Sequence, residues 1–313
     1  MDNAEPGLSR KDFLRTSCLS LAGLCLLPDL STAFEEKERI FRSIPSTGER
    51  IPAIGMGSWL TFDVGSSESE RAPMRDVLRT FTDLGGGVID SSPMYGHSQK
   101  VIGELAEELG VKDKLWVATK VWTNGKQSGK AQIDESVSLF HKWPTLEQVH
   151  NIRDFKTHIR TLRDLKEEGK LKYLGVTHYL DSAHDDLAEL IRTEPLDFVQ
   201  INLSVRGRAA EGELLPLAAD KGVAVIINQP FKTKALFRTV EGVPLPPWAK
   251  EWDMPNWASF FLKYIISNPH VTCTIPATTQ VGHVKENMAA GYAPLPDDVT
   301  RKKMTTYYNQ HTQ

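Results

Sequence analysis

The chain has 313 residues, 40% of them apolar and 25% charged, which is typical of a soluble globular protein built as one large α/β domain or two smaller domains. A net charge of −3 argues against nucleic-acid binding, and no run of about 18 apolar residues predicts a membrane anchor. None of the nine histidines and three cysteines has the spacing of a metal site, so we expect no metal.

The first 35 residues have the composition of a targeting segment rather than of a folded domain. Residues 9–14 read Ser-Arg-Lys-Asp-Phe-Leu, and a short apolar stretch follows at residues 18–27. This order resembles a twin-arginine export signal, with Lys11 in the place of the second arginine. The resemblance implies periplasmic localisation and a transient partner, the twin-arginine translocase. A docked or disordered N-terminal extension on a cytoplasmic protein is the alternative.

Residues 40–313 alternate between short apolar runs and amphipathic patterns, which predicts parallel strands joined by helices. Eight such units over roughly 260 residues predict a (β/α)8 TIM barrel. A doubly wound open sheet is the alternative, but it would need a G-x-G-x-x-G turn after its first strand. The predicted strands lie within residues 51–59, 86–90, 115–122, 146–150, 173–179, 197–203, 223–231 and 271–277.

Two local patterns add detail to this barrel. Residues 42–55 read as two short strands around Thr47 and Gly48, which predicts a β-hairpin at the barrel bottom. A helix is predicted after residue 98, with Ser98 as its N-cap and Gly110 just past its end.

Polar side chains stand at or just beyond the ends of three successive predicted strands: Asp90 with Tyr95, then Lys120, then His150. The strand ends of a barrel meet on one face, where active sites lie. Burying an unpaired ammonium is unfavourable, so Lys120 needs the carboxylate of Asp90. A nearby cation lowers the pKa of a phenol, which would make Tyr95 a proton donor at neutral pH. Asp90 and Lys120 alone would equally fit a structural ion pair, and Asp90 with His150 would fit a barrel hydrolase.

The four residues and the segments around them resemble the aldo-keto reductase family from about Gly55 to Asn287. The matching segments include "ATKVW", "QVHN", "YGHSQKVIGELAEE" and "TIPATTQVGHVKEN". The resemblance implies an NAD(P)H-dependent oxidoreductase that reduces an aldehyde or ketone to an alcohol. It makes Tyr95 the proton donor, with a pKa lowered by Lys120, which is paired with Asp90, and it makes His150 the group that orients the carbonyl. A nucleotide-binding redox-sensing or regulatory subunit of the same fold, with little turnover, is the alternative.

The same resemblance implies where a nicotinamide cofactor would bind. Asn228 stands where many family members stack a tyrosine on nicotinamide, so Phe231 or Trp248 would have to supply the ring. His283 stands where NADP-using members have an arginine, but Thr278 is kept. We therefore expect NADP(H), and NAD(H) stays open. The implied cofactor contacts are Thr177, His178 and Gln200 for the carboxamide, Glu286 and Asn287 for adenine, and Asn228, Phe231, Thr278 and His283 as described. Lys232 and Lys234 follow a predicted strand and suit a pyrophosphate, although solvated surface charges would explain them equally well.

Three tryptophans are candidates for the wall of an apolar substrate pocket: Trp59 and Trp122, where predicted strands pass into loops, and Trp248 in a predicted loop. Packing of these loops onto helices would explain the same residues equally well. A small-molecule aldehyde or ketone is the expected substrate.

Overall fold

The computed structural model of the protein describes Met1 and residues 38–312. The predicted export signal, residues 1–35, lies outside the described residues except for Met1. Among the described residues, no helix combines the length and the apolar character that a membrane span requires.

Eight parallel strands form the predicted barrel, and each strand pairs with the strand that follows it in the sequence. The strands are buried on both faces, which is why most of them read as apolar runs; the strand at residues 146–150, which is buried but carries three polar residues, is the exception. Backbone hydrogen bonds bring the first and last strands together, from Gly55 N to Thr274 O (2.8 Å) and from Thr274 N to Ala53 O (2.9 Å). The strands are β3 (Met56–Gly57), β4 (Val88–Asp90), β5 (Trp116–Val121), β6 (Leu146–His150), β7 (Tyr173–Thr177), β8 (Phe198–Asn202), β9 (Ala224–Asn228) and β10 (Cys273–Thr274).

Helices connect successive strands, as the alternating pattern predicts. One boundary differs from the prediction: Ser98 is the first residue of its helix and not the N-cap. Its hydroxyl donates to the carbonyl of Ser58 at 3.3 Å, a tertiary contact that the local sequence does not reveal. The helices are α1 (Glu68–Asp83), α2 (Ser98–Glu108), α3 (Lys126–Phe140), α4 (Phe155–Glu167), α5 (His184–Thr193), α6 (Leu214–Asp220), α7 (Ala235–Thr239), α8 (Trp257–Ile266), α9 (Val281–Ala289) and α10 (Asp298–His311).

The predicted hairpin is present and lies at the barrel bottom. Strands β1 (Phe41–Ser43) and β2 (Arg50–Pro52) pair antiparallel. Ile44 belongs to the buried cluster that includes the first residues of several barrel strands. Thr47 Oγ1 lies 2.6 Å from the hydroxyl of Tyr173, the first residue of β7. The hairpin therefore covers the end of the barrel opposite the strand C-termini.

Alternation along β6 decides which of its side chains enter the barrel. Leu146 packs in the cluster inside the barrel, and Val149 packs in the cluster under the helices. Because strand side chains alternate, Gln148 and His150 face inward and Glu147 faces outward. Glu147 is fully buried, and neither carboxylate oxygen has a hydrogen-bond partner among the described residues.

Candidate active site

An ion pair joins two neighbouring strands at the C-terminal end of the barrel. Lys120 Nζ donates to Asp90 Oδ2 at 2.6 Å and to the carbonyl of Ser91 at 2.7 Å. Both charged side chains are buried, so each supplies the counter-charge that the other requires. Burial lowers the pKa of Lys120, but the negative charge of Asp90, followed by smaller contributions from Tyr95 and Glu147, outweighs it and raises the pKa. Lys120 is therefore a cation at neutral pH.

Tyr95 follows β4 on a tight turn that begins at Ser92. The Tyr95 amide donates to the Ser92 carbonyl at 3.0 Å, and Pro93 occupies the second position, where a type I or II turn favours proline. The turn brings the Tyr95 ring centroid 5.2 Å from Lys120 Nζ and 6.1 Å from the ring of His150. Asp90, Tyr95, Lys120 and His150 thus form one cluster.

The expected lowering of the Tyr95 pKa is wrong. Burial raises the pKa of the Tyr95 phenol, and the opposing effect of the Lys120 charge does not offset it. Asp90 adds to the increase because its negative charge also disfavours the phenolate. Tyr95 therefore carries its proton throughout the physiological pH range.

His150 closes β6 and is buried. Burial, with the charges of Lys120 and His178 in addition, lowers the pKa of His150 to about 3. The imidazole is therefore neutral at neutral pH and carries one N–H donor. Its Nδ1 lies 3.1 Å from the hydroxyl of Ser92, a contact that the sequence analysis missed.

Gln148 is a second residue that the sequence analysis missed. It stands two residues before His150, so the strand period alone places it on the same inward face. Its Nε2 donates to Gln200 Oε1 at 3.3 Å, and its Cα lies in register with that of Lys120. Burial raises the pKa of Asp90, and the opposing effects of Lys120 and then of the two amides do not offset it. The glutamines therefore belong to the polar network around the ion pair.

The loop after β3 holds the turn that carries Tyr95. Asp63 Oδ1 accepts from the amide of His97 at 2.8 Å and lies 3.1 Å from His97 Nδ1. Gly96 has φ +56, and a Cβ at this position would lie 2.2 Å from the Asp63 carboxylate. Any other residue would be strained at this positive φ and would displace the Asp63 carboxylate from its contacts with His97.

The residues predicted to hold a carboxamide lie on adjacent strand ends. Thr177 is in register with both His150 and Gln200, and it is buried. The amide of His178 donates to the Gln200 carbonyl at 3.1 Å. Asn228 ends β9, and its buried Oδ1 has no hydrogen-bond partner among the described residues. These groups form a row of polar side chains at the barrel mouth.

Lys232 and Lys234 lie in the loop after β9, as expected. Both adopt left-handed backbone conformations, with φ +44 and φ +67, and so does Thr233 between them, with φ +52. The Lys232 side chain crosses Gly207, where an added Cβ would lie 2.6 Å from Nζ. The structure therefore places the two predicted phosphate-binding cations in a loop of defined shape at the strand ends.

The predicted adenine-end residues also come together. Thr278 Oγ1 lies 3.3 Å from His283 Nδ1 and accepts from the amide of Gln280 at 3.1 Å. Glu286 and Asn287 follow on the same helix, α9, with Glu286 exposed and Asn287 buried.

The predicted aromatic residues take different positions. Trp59 is 45% exposed on the loop after β3. Trp122, just after β5, stacks under Arg153, whose guanidinium carbon lies 4.3 Å from the ring centroid. Phe231 packs against the rings of Phe237 and Phe261, and Trp248 packs against Phe260 and Tyr307. The last two rings therefore have packing partners in the helical layer. Within residues 38–312, no group of three or more His, Cys, Asp or Glu side chains is placed to hold a metal.

Comparison with known proteins finds a matching family model, related sequences and similar structures. The model of the aldo/keto reductase family matches residues 53–303. The Bacillus subtilis aldo-keto reductase YhdN is 25% identical over 203 residues, which cover 60% of this chain and 60% of that protein. An Escherichia coli NADH-specific methylglyoxal reductase is 25% identical over 236 residues, covering 66% of this chain and 71% of that protein. The crystal structure of a Klebsiella pneumoniae aldo-keto reductase in complex with NADPH has a TM-score of 0.71 at 21% identity, covering 86% of this chain and 95% of that one.

Proposed function

This chain belongs to the aldo/keto reductase family and is an oxidoreductase, and we propose that it uses NAD(P)H to reduce an aldehyde or a ketone to the alcohol. One observation carries the proposal. A protonated phenol, a buried ammonium and a neutral imidazole converge at the C-terminal end of the barrel, with the Tyr95 ring 5.2 Å from Lys120 Nζ and 6.1 Å from the His150 ring.

Each side chain has one task in this proposal. Tyr95 donates its proton to the carbonyl oxygen, because burial keeps the phenol protonated. Lys120 stabilises the phenolate that remains. Asp90 keeps Lys120 charged, because its Oδ2 accepts a hydrogen bond from Lys120 Nζ at 2.6 Å. His150 donates a hydrogen bond to the same oxygen and so favours the developing negative charge.

The strand-end residues fit a nicotinamide cofactor. The unpartnered Oδ1 of Asn228 and the hydroxyl of Thr177 offer polar contacts at the mouth, and Lys232 and Lys234 offer charge for a pyrophosphate. When bound, a reduced nicotinamide supplies the hydride. With Phe231 and Trp248 packed against other rings, we propose that Asn228 holds the nicotinamide by hydrogen bonding rather than by stacking.

We further propose that NADPH is preferred over NADH. Thr278 Oγ1 and His283 Nδ1 lie 3.3 Å apart, so a 2′-phosphate would meet a hydroxyl and an imidazole. An arginine fork would be stronger than this set, so we expect a modest preference. Fluorescence titration with both cofactors tests it, and tighter binding of NADH would contradict it.

The decisive experiment combines cofactor binding with turnover. We expect the wild type to bind NADPH and to reduce both an aromatic aldehyde and methylglyoxal. Tyr95→Phe should bind NADPH equally well, while kcat falls about 10²- to 10⁴-fold because the proton donor is lost. Binding without turnover in the wild type would favour the regulatory subunit, and absence of binding would contradict both nucleotide-dependent functions.

For localisation we propose export through the twin-arginine pathway, on the sequence of residues 9–14 alone. Arg10→Gln combined with Lys11→Gln should retain the protein in the cytoplasm, whereas Arg15→Gln should not. Equal distribution of all three proteins between the cell fractions would support an N-terminal extension instead.

A further inference from the structure

Ser92 connects the two groups that would contact the carbonyl oxygen, and we propose that it is a positioning residue that fixes the tautomer of His150. Its hydroxyl would hold the imidazole with the proton on Nε2 and Nδ1 as acceptor. Nε2 would then be the donor that is left for a substrate. The inference rests on the proposed function only for the identity of that substrate.

The backbone at Ser92 is held in place by its own sequence. Pro93 follows and disfavours helical conformations at Ser92. The Ser92 carbonyl accepts from the Tyr95 amide at 3.0 Å, and the Ser92 hydroxyl accepts from the Met94 amide at 3.3 Å. This is the local hydrogen bonding by which serine stabilises the first position of a turn. Ser92 is fully buried, so its hydroxyl has a fixed place in the site.

The hydrogen-bond inventory then assigns the proton. A hydroxyl has one hydrogen to donate and can accept two. The Met94 amide supplies a hydrogen to Ser92 Oγ, and His150 Nδ1 lies 3.1 Å from the same atom. If Nδ1 also carried a hydrogen, the buried Ser92 hydroxyl would accept twice, and no acceptor for its own hydrogen is found among the described residues. Leaving a buried donor unpaired is unfavourable, so Ser92 donates and Nδ1 accepts.

Because His150 is neutral, the position of its single proton decides which ring nitrogen can donate a hydrogen bond to a substrate. An imidazolium would donate from both nitrogens, whereas the low pKa of His150, about 3, leaves a single N–H to place. With the proton on Nδ1, Nε2 would be an acceptor and would repel a carbonyl oxygen. Ser92 therefore decides whether the imidazole can assist the proton transfer from Tyr95, and the same residue shapes the turn that carries Tyr95.

The tautomer is read directly by NMR of protein labelled with nitrogen-15 in histidine, without cofactor, at pH 7. We expect the wild-type His150 to show a protonated Nε2 and an unprotonated, hydrogen-bonded Nδ1, with the signals assigned by their loss in His150→Gln. Ser92→Ala should shift the Nδ1 resonance or mix the tautomers, and Ser92→Thr should restore the wild-type pattern. Ser91→Ala is the matched control, because Ser91 is equally buried and its hydroxyl has no partner among the described residues. It should leave both nitrogen signals unchanged.

Kinetics provide the second readout. Ser92→Ala should lower kcat by about fivefold, as expected for loss of a hydrogen bond worth about 1 kcal/mol, and should leave the Kd for NADPH unchanged. Ser92→Thr should recover kcat. A wild-type spectrum with the proton on Nδ1 would overturn the inference even if every serine variant misfolded. If the wild type showed no turnover, the proposed function would fail while the spectrum still tested the role of Ser92.

Discussion

Asp90 and Glu147 are both fully buried carboxyl groups, yet they lie on opposite sides of the barrel wall. Asp90 faces inward and accepts from Lys120 at 2.6 Å, whereas Glu147 faces outward and has no hydrogen-bond partner among the described residues. Burial raises the pKa of Glu147 to about 8 in spite of the positive charge of Lys120. Burial raises the pKa of both carboxyl groups, but only Asp90 has a cation in direct contact that opposes this effect.

Removing the partner of Asp90 should give the largest effect. In Lys120→Met, Asp90 loses its counter-charge and becomes a buried unpaired carboxyl, as Glu147 is. We expect the free energy of unfolding at pH 7 to fall by about 3–5 kcal/mol. Without the ammonium that stabilises the Tyr95 phenolate, kcat should fall at least about 10²-fold. Denaturant unfolding and steady-state kinetics measure the two effects.

A second buried lysine provides the matched control. Lys263 is fully buried and donates to the carbonyls of Tyr292 and Pro294 at 2.9 and 2.8 Å, remote in sequence from the four clustered residues. Lys263→Met should lower stability and leave kcat unchanged. If both variants lost activity in proportion to their stability, Lys120 would have no chemical role separate from packing.

Changing Glu147 should give an intermediate effect that depends on pH. Its pKa of about 8 in the folded state lies above the value near 4.5 of an unburied glutamate, so folding takes up a proton between these values. The stability contributed by the protonated carboxyl is therefore lost as pH rises through 8. Because of Glu147, we expect the free energy of unfolding of the wild type to be about 2 kcal/mol lower at pH 8 than at pH 6.

Denaturant unfolding of Glu147→Gln at the two pH values measures this contribution. The amide cannot ionise, so the variant should lose less stability than the wild type over this range. Glu135→Gln, an exposed position on α3, should keep the wild-type pH dependence. A Glu147→Gln protein with the same pH dependence as the wild type would show that Glu147 has a partner that keeps it ionised.

The contrast between the two carboxyl groups also marks the limit of sequence-based prediction for this chain. The eight strands and the clustered Asp90, Tyr95, Lys120 and His150 were predictable, because buried parallel strands are continuous apolar runs and their polar terminal residues stand out. The environment of each group could not be predicted from the sequence. The raised pKa of Tyr95 depends on its burial in the folded protein, and the packing partners of Trp248 come from α8 and α10. The start of α2 at Ser98 depends on a contact with Ser58.

The smallest expected effects come from two buried glutamines, which, like the two carboxyl groups, lie on opposite sides of the barrel wall. Gln148 faces inward and donates to Gln200, whereas Gln99 lies outside the barrel wall and donates to Thr119 Oγ1 at 2.6 Å and to Ser136 Oγ at 3.1 Å. Gln148→Met should lower kcat/KM about fivefold, which corresponds to a hydrogen bond of about 1 kcal/mol in the network around Asp90. Gln99→Met should lower the free energy of unfolding by about 1–3 kcal/mol and leave kcat/KM unchanged. Both quantities are measured for both variants, and an equal loss of kcat/KM would mean that the outer face of the wall contributes to catalysis as much as the inner face does.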